Sequence, residues 1–458
     1  MIRSIAKYTN FLLIPFMSLT ISTTWGCNDA EDSHATLPTE PSAATGDSIT
    51  FERGSGGAGH DHQATVRTGA EIFVSEMVGK WAADSAKVVV VANHTTQVFG
   101  GVHLVDTLIG SGVQVVKVFA PEHGFRGTAD AGEAVQDGID KKTGVPVISL
   151  YGKLKKPTPE LLKGVDAVFF DIQDVGSRHY TYISTMTYVM EACAELGIPF
   201  YVLDRPNPNG WYVDGPVLET GSESFIGMHQ VPIVHGMSIG EYAQMVNGEH
   251  WMKNGVEADL TVIPCEGYEH DMRWEETGLE WIPPSPNLGT EYSAYLYPAL
   301  CWLEPTPMSV GRGTDSAFTV AGAPWFETST PQARMADGAS QLYGLEADPT
   351  DFTPRSLPGK SKYPKFQDQQ CHGWVFRNRV EGKELLLAGL SILGDSYRQH
   401  QQAHAGDSFF KKGFHKWPGN KTLKSQIQSG MSPEEIYESW RPKVEDYIMI
   451  RRNYLIYP

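Results

Sequence analysis

The chain has 458 residues, 41% hydrophobic and 11% aromatic, a length that exceeds one compact core and a composition rich enough for two. Its 37 Lys and Arg stand against 54 Asp and Glu, a formal net charge of −17. This excludes the basic face that nucleic-acid binding requires, and it leaves open neutral substrates or anions held by local cations.

At the N-terminus, Arg3 and Lys7 are followed by the apolar run FLLIPFMSLTIS, which has a signal-peptide core's length and is too short for a stable membrane span. Cys27 comes after Gly26 just beyond this run and resembles the cleavage site of a bacterial lipoprotein, although Trp25 is bulky for such a site. The expectation is a signal peptide over 1–26 and lipidation at Cys27. The protein would then be exported to the periplasm or to the outer membrane and cell surface. Residues 27–65 are rich in Ser, Thr, Pro, Gly, Ala and acids and end in ERGSGGAGHDH, the composition of a flexible tether. His60 and His62 belong to that tether.

Beyond the tether the hydrophobic period changes repeatedly. GAEIFVSEMVGKWAADS has helical spacing, KVVVVAN is an apolar strand, GVHLVDTLIGSG a short helix and VQVVKVFA a second strand. VPVISLYG and DAVFFDI are further strands, with the helical turn TPELLKGV between them. TYISTMTYVMEACAELG is a helix that Gly197 closes, and IPFYVLD is the fifth strand. Apolar strands alternating with helices predict a parallel sheet covered on both faces, a Rossmann-like α/β domain over 66–257. A smaller α+β domain is expected over 258–458, with the site in the cleft between the two. It contains an aromatic helix from Thr290 and a final helix opened by Ser432, Pro433 and Glu435. Cys193, Cys265, Cys301 and Cys371 lack metal-ligand spacing and are expected as buried thiols.

Ligands bind just beyond the carboxyl ends of the strands in such a sheet. Here each strand stops in polar groups: Asn93 and His94; Glu122, His123 and Arg126; Tyr151; Asp171, Gln173, Asp174 and Arg178; Asp204, Arg205 and Asn207. Five such ends in succession predict a site. The glycine-rich fingerprints of dinucleotide and nucleoside-triphosphate sites are absent, as are the serine-hydrolase and β-lactamase signatures, so no cofactor is expected. HDH and DIQD offer no convincing third ligand, so no metal is expected. Carboxylates, a histidine and many aromatic rings suit sugars, and glycoside cleavage needs a carboxylic acid at the leaving oxygen. Glu122, at the end of an apolar strand, is the candidate acid; the alternative is that it caps a helix or pairs with Arg126.

The motifs PEHGFRG, SLYGK, KPTPELL, FDIQDVGSRHYTYISTM, VLDRPNPNG, GPVLE, SFIGMHQVPIVHGMSIGE, PPSPNLGT and VGRGTDSAFTVAGAPW resemble, in order, the peptidoglycan exo-β-N-acetylmuramidases of the NamZ type, glycoside hydrolase family 171. The resemblance runs from about residue 70 to the C-terminus. It implies removal of terminal β-linked N-acetylmuramic acid from non-reducing ends of peptidoglycan fragments, with Glu122 as catalytic acid beside His123. It leaves the second group open between Asp171, Asp174 and the substrate's own 2-acetamido group. The matching stretches add Tyr180, Tyr182, Asn287 and Arg312 as candidate substrate contacts, and Glu304, at the end of the aromatic helix between two of those stretches, is a further candidate. One of Arg126, Arg178, Arg205 and Arg312 is expected to hold the lactyl carboxylate of N-acetylmuramic acid. Pro307 and Met308 stand where the family form has Asn-Leu, and SPNLGT departs from its SPNMPT, which bears on the outer sugar pocket. Two rival readings are a non-catalytic surface glycan-binding lipoprotein and an endo-acting muramidase.

Overall fold

The computed structural model describes residues 66–126, 137–328 and 342–458. The signal peptide, Cys27 and the tether lie outside the described residues.

Twelve strands follow in chain order: β1 Lys87–Ala92, β2 Gln97–Val98, β3 Val102–His103, β4 Gln114–Ala120, β5 Gly138–Ile139, β6 Pro146–Ser149, β7 Ala167–Asp171, β8 Phe200–Leu203, β9 Leu260–Ile263, β10 Val320–Ala323, β11 Ala347–Phe352 and β12 Cys371–Phe376. Seven build one sheet in the order β5-β6-β4-β1-β7-β8-β9, parallel except for the pairing of β5 with β6. This is the α/β sheet that the apolar runs predict. Every residue of β7 is buried, as is every residue of β1 after Lys87, because helices cover both faces. β10, β12 and β11 form a separate antiparallel sheet, and β2 and β3 a short hairpin.

The seventh strand of the main sheet, β9, lies beyond the boundary expected at 257/258. It pairs with β8 from Phe200↔Leu260 to Leu203↔Ile263, so the first layer runs further along the chain than composition suggested. The second half does not stand apart either. Val168, Met186 and Tyr242 share one continuous core with Trp302, Leu386 and Trp440.

Local chemistry sets several helix ends. Gly197 closes Tyr182–Leu196 at φ 65°, a left-handed conformation that glycine adopts without a Cβ clash. Thr290 and Ser432 cap Glu291–Leu300 and Pro433–Arg451 through reciprocal bonds with Ser293 and Glu435. The first helical run divides at Met77 into Gly69–Glu76 and Val78–Ala83. Cys193, Cys265, Cys301 and Cys371 are buried free thiols. No helix among the described residues is long and apolar enough to cross a membrane.

Candidate active site

β1 is central to the main sheet. From it the chain winds outward to β4 and β6 on one side, then returns to β7, β8 and β9 on the other. At that reversal the loops leaving adjacent strands diverge and open a crevice at their carboxyl ends. A cavity of about 450 Å³ lies there, lined among others by Glu122, His123, Tyr151, Thr181, Glu304 and Arg312.

Glu122 leaves β4 in a tight turn closed by the Gly124 amide donating to the Pro121 carbonyl, 3.1 Å. His123 occupies the left-handed region at φ 72°, a conformation a non-glycine residue keeps only when its surroundings hold it. Two hydroxyls fix the carboxylate. Thr181 Oγ1 donates to Glu122 Oε2 at 2.8 Å, and the Tyr151 hydroxyl is also hydrogen-bonded to Glu122. Burial, with the Glu122 charge second, pushes the Tyr151 phenol above its ordinary range, so it stays a donor. Thr181 is the N-cap residue of Tyr182–Leu196 but makes no side-chain cap bond; its hydroxyl serves Glu122 instead.

Glu304 is the second carboxylate lining the cavity among the described residues. Both its oxygens accept from Arg312, from Nε at 2.8 Å and Nη2 at 2.9 Å. Burial pushes the Glu304 carboxyl up, but the Arg312 guanidinium outweighs this and holds it below the ordinary value, so it stays ionised. Lys365 fixes the loop from below. Its buried ammonium donates to the carbonyls of Leu303, Glu304 and Met308.

Tyrosines finish the wall. Tyr180 and Tyr182 line the cavity with ring centroids 4.9 Å apart, edge to face, and Tyr297 meets Tyr180 at 5.9 Å. The Tyr182 hydroxyl donates to the Pro284 carbonyl and accepts from Asn93 Nδ2. His179 also lines the cavity. Burial, then the Arg178 charge, lowers its pKa to about 3, leaving a neutral ring that donates to the Trp417 carbonyl at 2.6 Å. The arrangement presents a hydrogen-bonded carboxyl group, an ionised carboxylate and several aromatic rings to one open cavity. Those are the parts that glycosidic-bond cleavage uses.

Comparison with known proteins agrees with this geometry. Residues 88–292 match the family model described as exo-beta-N-acetylmuramidase NamZ, N-terminal, and residues 295–457 match its C-terminal counterpart. The chain belongs to the NamZ exo-β-N-acetylmuramidase family. It is 40% identical over 350 residues to peptidoglycan beta-N-acetylmuramidase NamZ of Bacillus subtilis, covering 75% of this chain and 80% of that one. Two crystal structures of DUF1343 family proteins from Bacteroides fragilis share its fold. One has a TM-score of 0.71 at 38% identity, over 86% of this chain and 99% of that one. The other has 0.76 at 30% identity, over 87% and 100%.

The NamZ-family cavity draws on both matched regions: Glu122, Tyr151 and Thr181 come from the first, Glu304 and Arg312 from the second. Other strand-end residues are used differently. Asp171 is fully buried and paired with Arg205, whose Nη2 lies 2.9 Å from its Oδ2. Asp174 is buried behind the wall, where its Oδ2 accepts from the Gly176 amide at 2.8 Å. Neither lines the cavity. Asn93 orients Tyr182, and Gln173 Nε2 donates to the carbonyls of Asp174 and Pro206. Asp204 holds Ser238, Gly240 and Tyr457 together, Asn207 bonds the Met237 carbonyl, and Asn287 the Lys360 carbonyl.

Of the four arginines expected to meet a substrate carboxylate, Arg312 alone lines the cavity. Arg126 is paired with Asp106 and Asp140. Arg205 is taken by Asp171. Arg178 is buried against the carbonyls of Pro216, Val231 and Trp417, so it braces the wall. The sequence reading missed Thr181, Lys155 and Phe225. Thr181 and Phe225 lie inside stretches already quoted, and Lys155 sits two residues past SLYGK.

Proposed function

We propose that this protein is an exo-acting β-N-acetylmuramidase that removes terminal N-acetylmuramic acid from non-reducing ends of peptidoglycan fragments during cell-wall turnover. One observation carries the reading. In a NamZ-family chain, Glu122 stands in the cavity with its carboxyl group aimed by Tyr151 and Thr181. Glu122 gives its proton to the glycosidic oxygen as the bond to C1 breaks, and electron density from the sugar ring flows toward C1. Glu304, kept ionised by Arg312, stabilises the positive charge that develops there.

Both oxygens of Glu304 are committed to Arg312, which favours the substrate's own 2-acetamido oxygen as the attacking group. That oxygen bonds C1 as the leaving group departs. Water then opens the resulting ring, Glu122 takes back a proton, and the anomeric configuration is retained. The two carboxylates in one cavity favour this reading over a glycan-binding protein without activity.

The test is hydrolysis of a chromogenic β-N-acetylmuraminide beside the corresponding N-acetylglucosaminide. Parent protein should prefer the muraminide, and Glu122→Gln should lower its kcat by roughly 10² to 10⁴, with a smaller loss for a substrate whose leaving group needs no proton. A folded Glu122→Gln variant with parent turnover rejects the assignment.

The reading includes export and a lipid anchor at Cys27, supported by the apolar run before it and the tether-like composition after it. Cys27→Ser should move the protein from the membrane to the soluble fraction. Equal fractionation of parent and variant rejects the anchor.

A further inference from the structure

We propose that Lys155 is the cation that reads the lactyl carboxylate, the group that distinguishes N-acetylmuramic acid from N-acetylglucosamine. The proposal rests on the muramidase reading of the same cavity. Lys155 lies in the loop between β6 and the helical turn Pro159–Leu162 and lines the cavity that holds Glu122. Its Nζ lies 4.1 Å from the centroid of the Phe225 ring. The Phe225 ring is 6.2 Å from that of Tyr151, and the Tyr151 hydroxyl is bonded to Glu122. Ammonium and acid are thus connected through two aromatic side chains. On a pyranose, the carbon bearing the lactyl ether is two ring positions from the anomeric carbon. Lys155 and Glu122 line one cavity, so a carboxylate carried two positions from the reacting carbon can meet this cation while the acid meets the glycosidic oxygen.

The neighbouring charges point to the same residue. Lys156 is already neutralised by Glu191 at 2.6 Å and Glu195 at 2.7 Å. Lys155 has no carboxylate partner among the described residues; it rests on an aromatic face, which positions an ammonium without cancelling its charge. Arg312, the other permanent cation lining the cavity among the described residues, spends Nε and Nη2 on Glu304. His179 gives its ring N–H to the Trp417 carbonyl. A lysine also suits a carboxylate that swings on an ether linkage, since a compact point charge imposes no planar geometry.

The experiment compares a chromogenic β-N-acetylmuraminide with its lactyl methyl ester, which removes the charge at the cost of one added methyl group. Parent, Lys155→Met and Lys155→Arg proteins are assayed on both. Parent should favour the acid, and Lys155→Met should shrink the acid-to-ester ratio of kcat/KM by roughly tenfold to 100-fold, mainly through KM. Lys155→Arg should restore part of the ratio. A Lys155→Met protein with the parent ratio overturns the proposal and leaves the muramidase reading standing. A parent that hydrolyses neither substrate overturns the muramidase reading instead. Calorimetric titration with free N-acetylmuramic acid and its methyl ester then decides the role of Lys155: selective loss of acid binding in Lys155→Met supports it, and unchanged binding overturns it.

Discussion

Thr181 opens the helix Tyr182–Leu196, yet its hydroxyl bonds Glu122 Oε2 at 2.8 Å and leaves its own helix without a side-chain cap. A threonine at this position ordinarily satisfies one of the first backbone amides. Here the hydroxyl fixes the rotamer of the candidate acid.

Thr181→Val should therefore lower kcat by roughly twofold to tenfold, the range for one hydrogen bond between uncharged groups. Thr181→Ser should recover most of it. Helix stability should change little, because no cap bond is broken. Parent kcat in Thr181→Val, measured on the chromogenic muraminide, would remove Thr181 from the positioning of Glu122.

Arg312 keeps Glu304 ionised against the pull of burial. Removing the guanidinium lets burial dominate, and the carboxyl pKa rises. The ionised form is then lost at a higher pH as the solution is acidified. Arg312→Met should accordingly move the acid limb of the kcat profile upward by about one pH unit or more. An unmoved acid limb would show that Glu304 need not be ionised during turnover.

Asp171 and Arg205 form a buried pair, at 0% and 7% side-chain exposure. Asp171→Asn leaves the guanidinium without its counter-charge and should cost about 3–5 kcal/mol in denaturant unfolding. Activity per folded molecule should stay near that of the parent, because the pair lies outside the cavity. A large kcat loss without a stability loss would return Asp171 to the chemistry.

Asp174 is buried with Oδ1 lacking a partner, and burial pushes its carboxyl up to about 7 despite amide bonds from Gly176 and Val175. The folded state thus binds more protons than the unfolded chain between about pH 4 and pH 7, and the parent loses stability as pH rises through that window. Asp174→Asn cannot ionise and escapes the loss. Its stability relative to the parent should climb by about 2–4 kcal/mol between pH 4.5 and pH 8. A difference independent of pH in urea unfolding would contradict the assignment.

Much of the main sheet was legible in the sequence. KVVVVAN, VQVVKVFA and DAVFFDI are unbroken apolar runs, and a strand buried on both faces has no other composition available. Gly197, Thr290 and Ser432 marked helix ends because capping is a local matter of backbone angle and side-chain reach. β9 was assigned to the wrong side of a boundary because its membership depends on pairing with β8, about 60 residues earlier, and that pairing leaves no local signature.

The sequence by itself determined that polar groups would gather at the carboxyl ends of a parallel sheet, and the long motifs within it carried the family. Tertiary structure alone decided which of those groups face the cavity. Asp171, Asp174 and Glu122 occupy equivalent strand ends, but Asp171 meets Arg205, Asp174 is sealed behind the wall, and Glu122 opens into the cavity. Likewise Lys155 and Phe225, distant in the chain, become one surface only when the loops fold together. The physical reason is that charge pairing and desolvation depend on three-dimensional neighbours, whereas strand and cap formation depend on residues a few positions away.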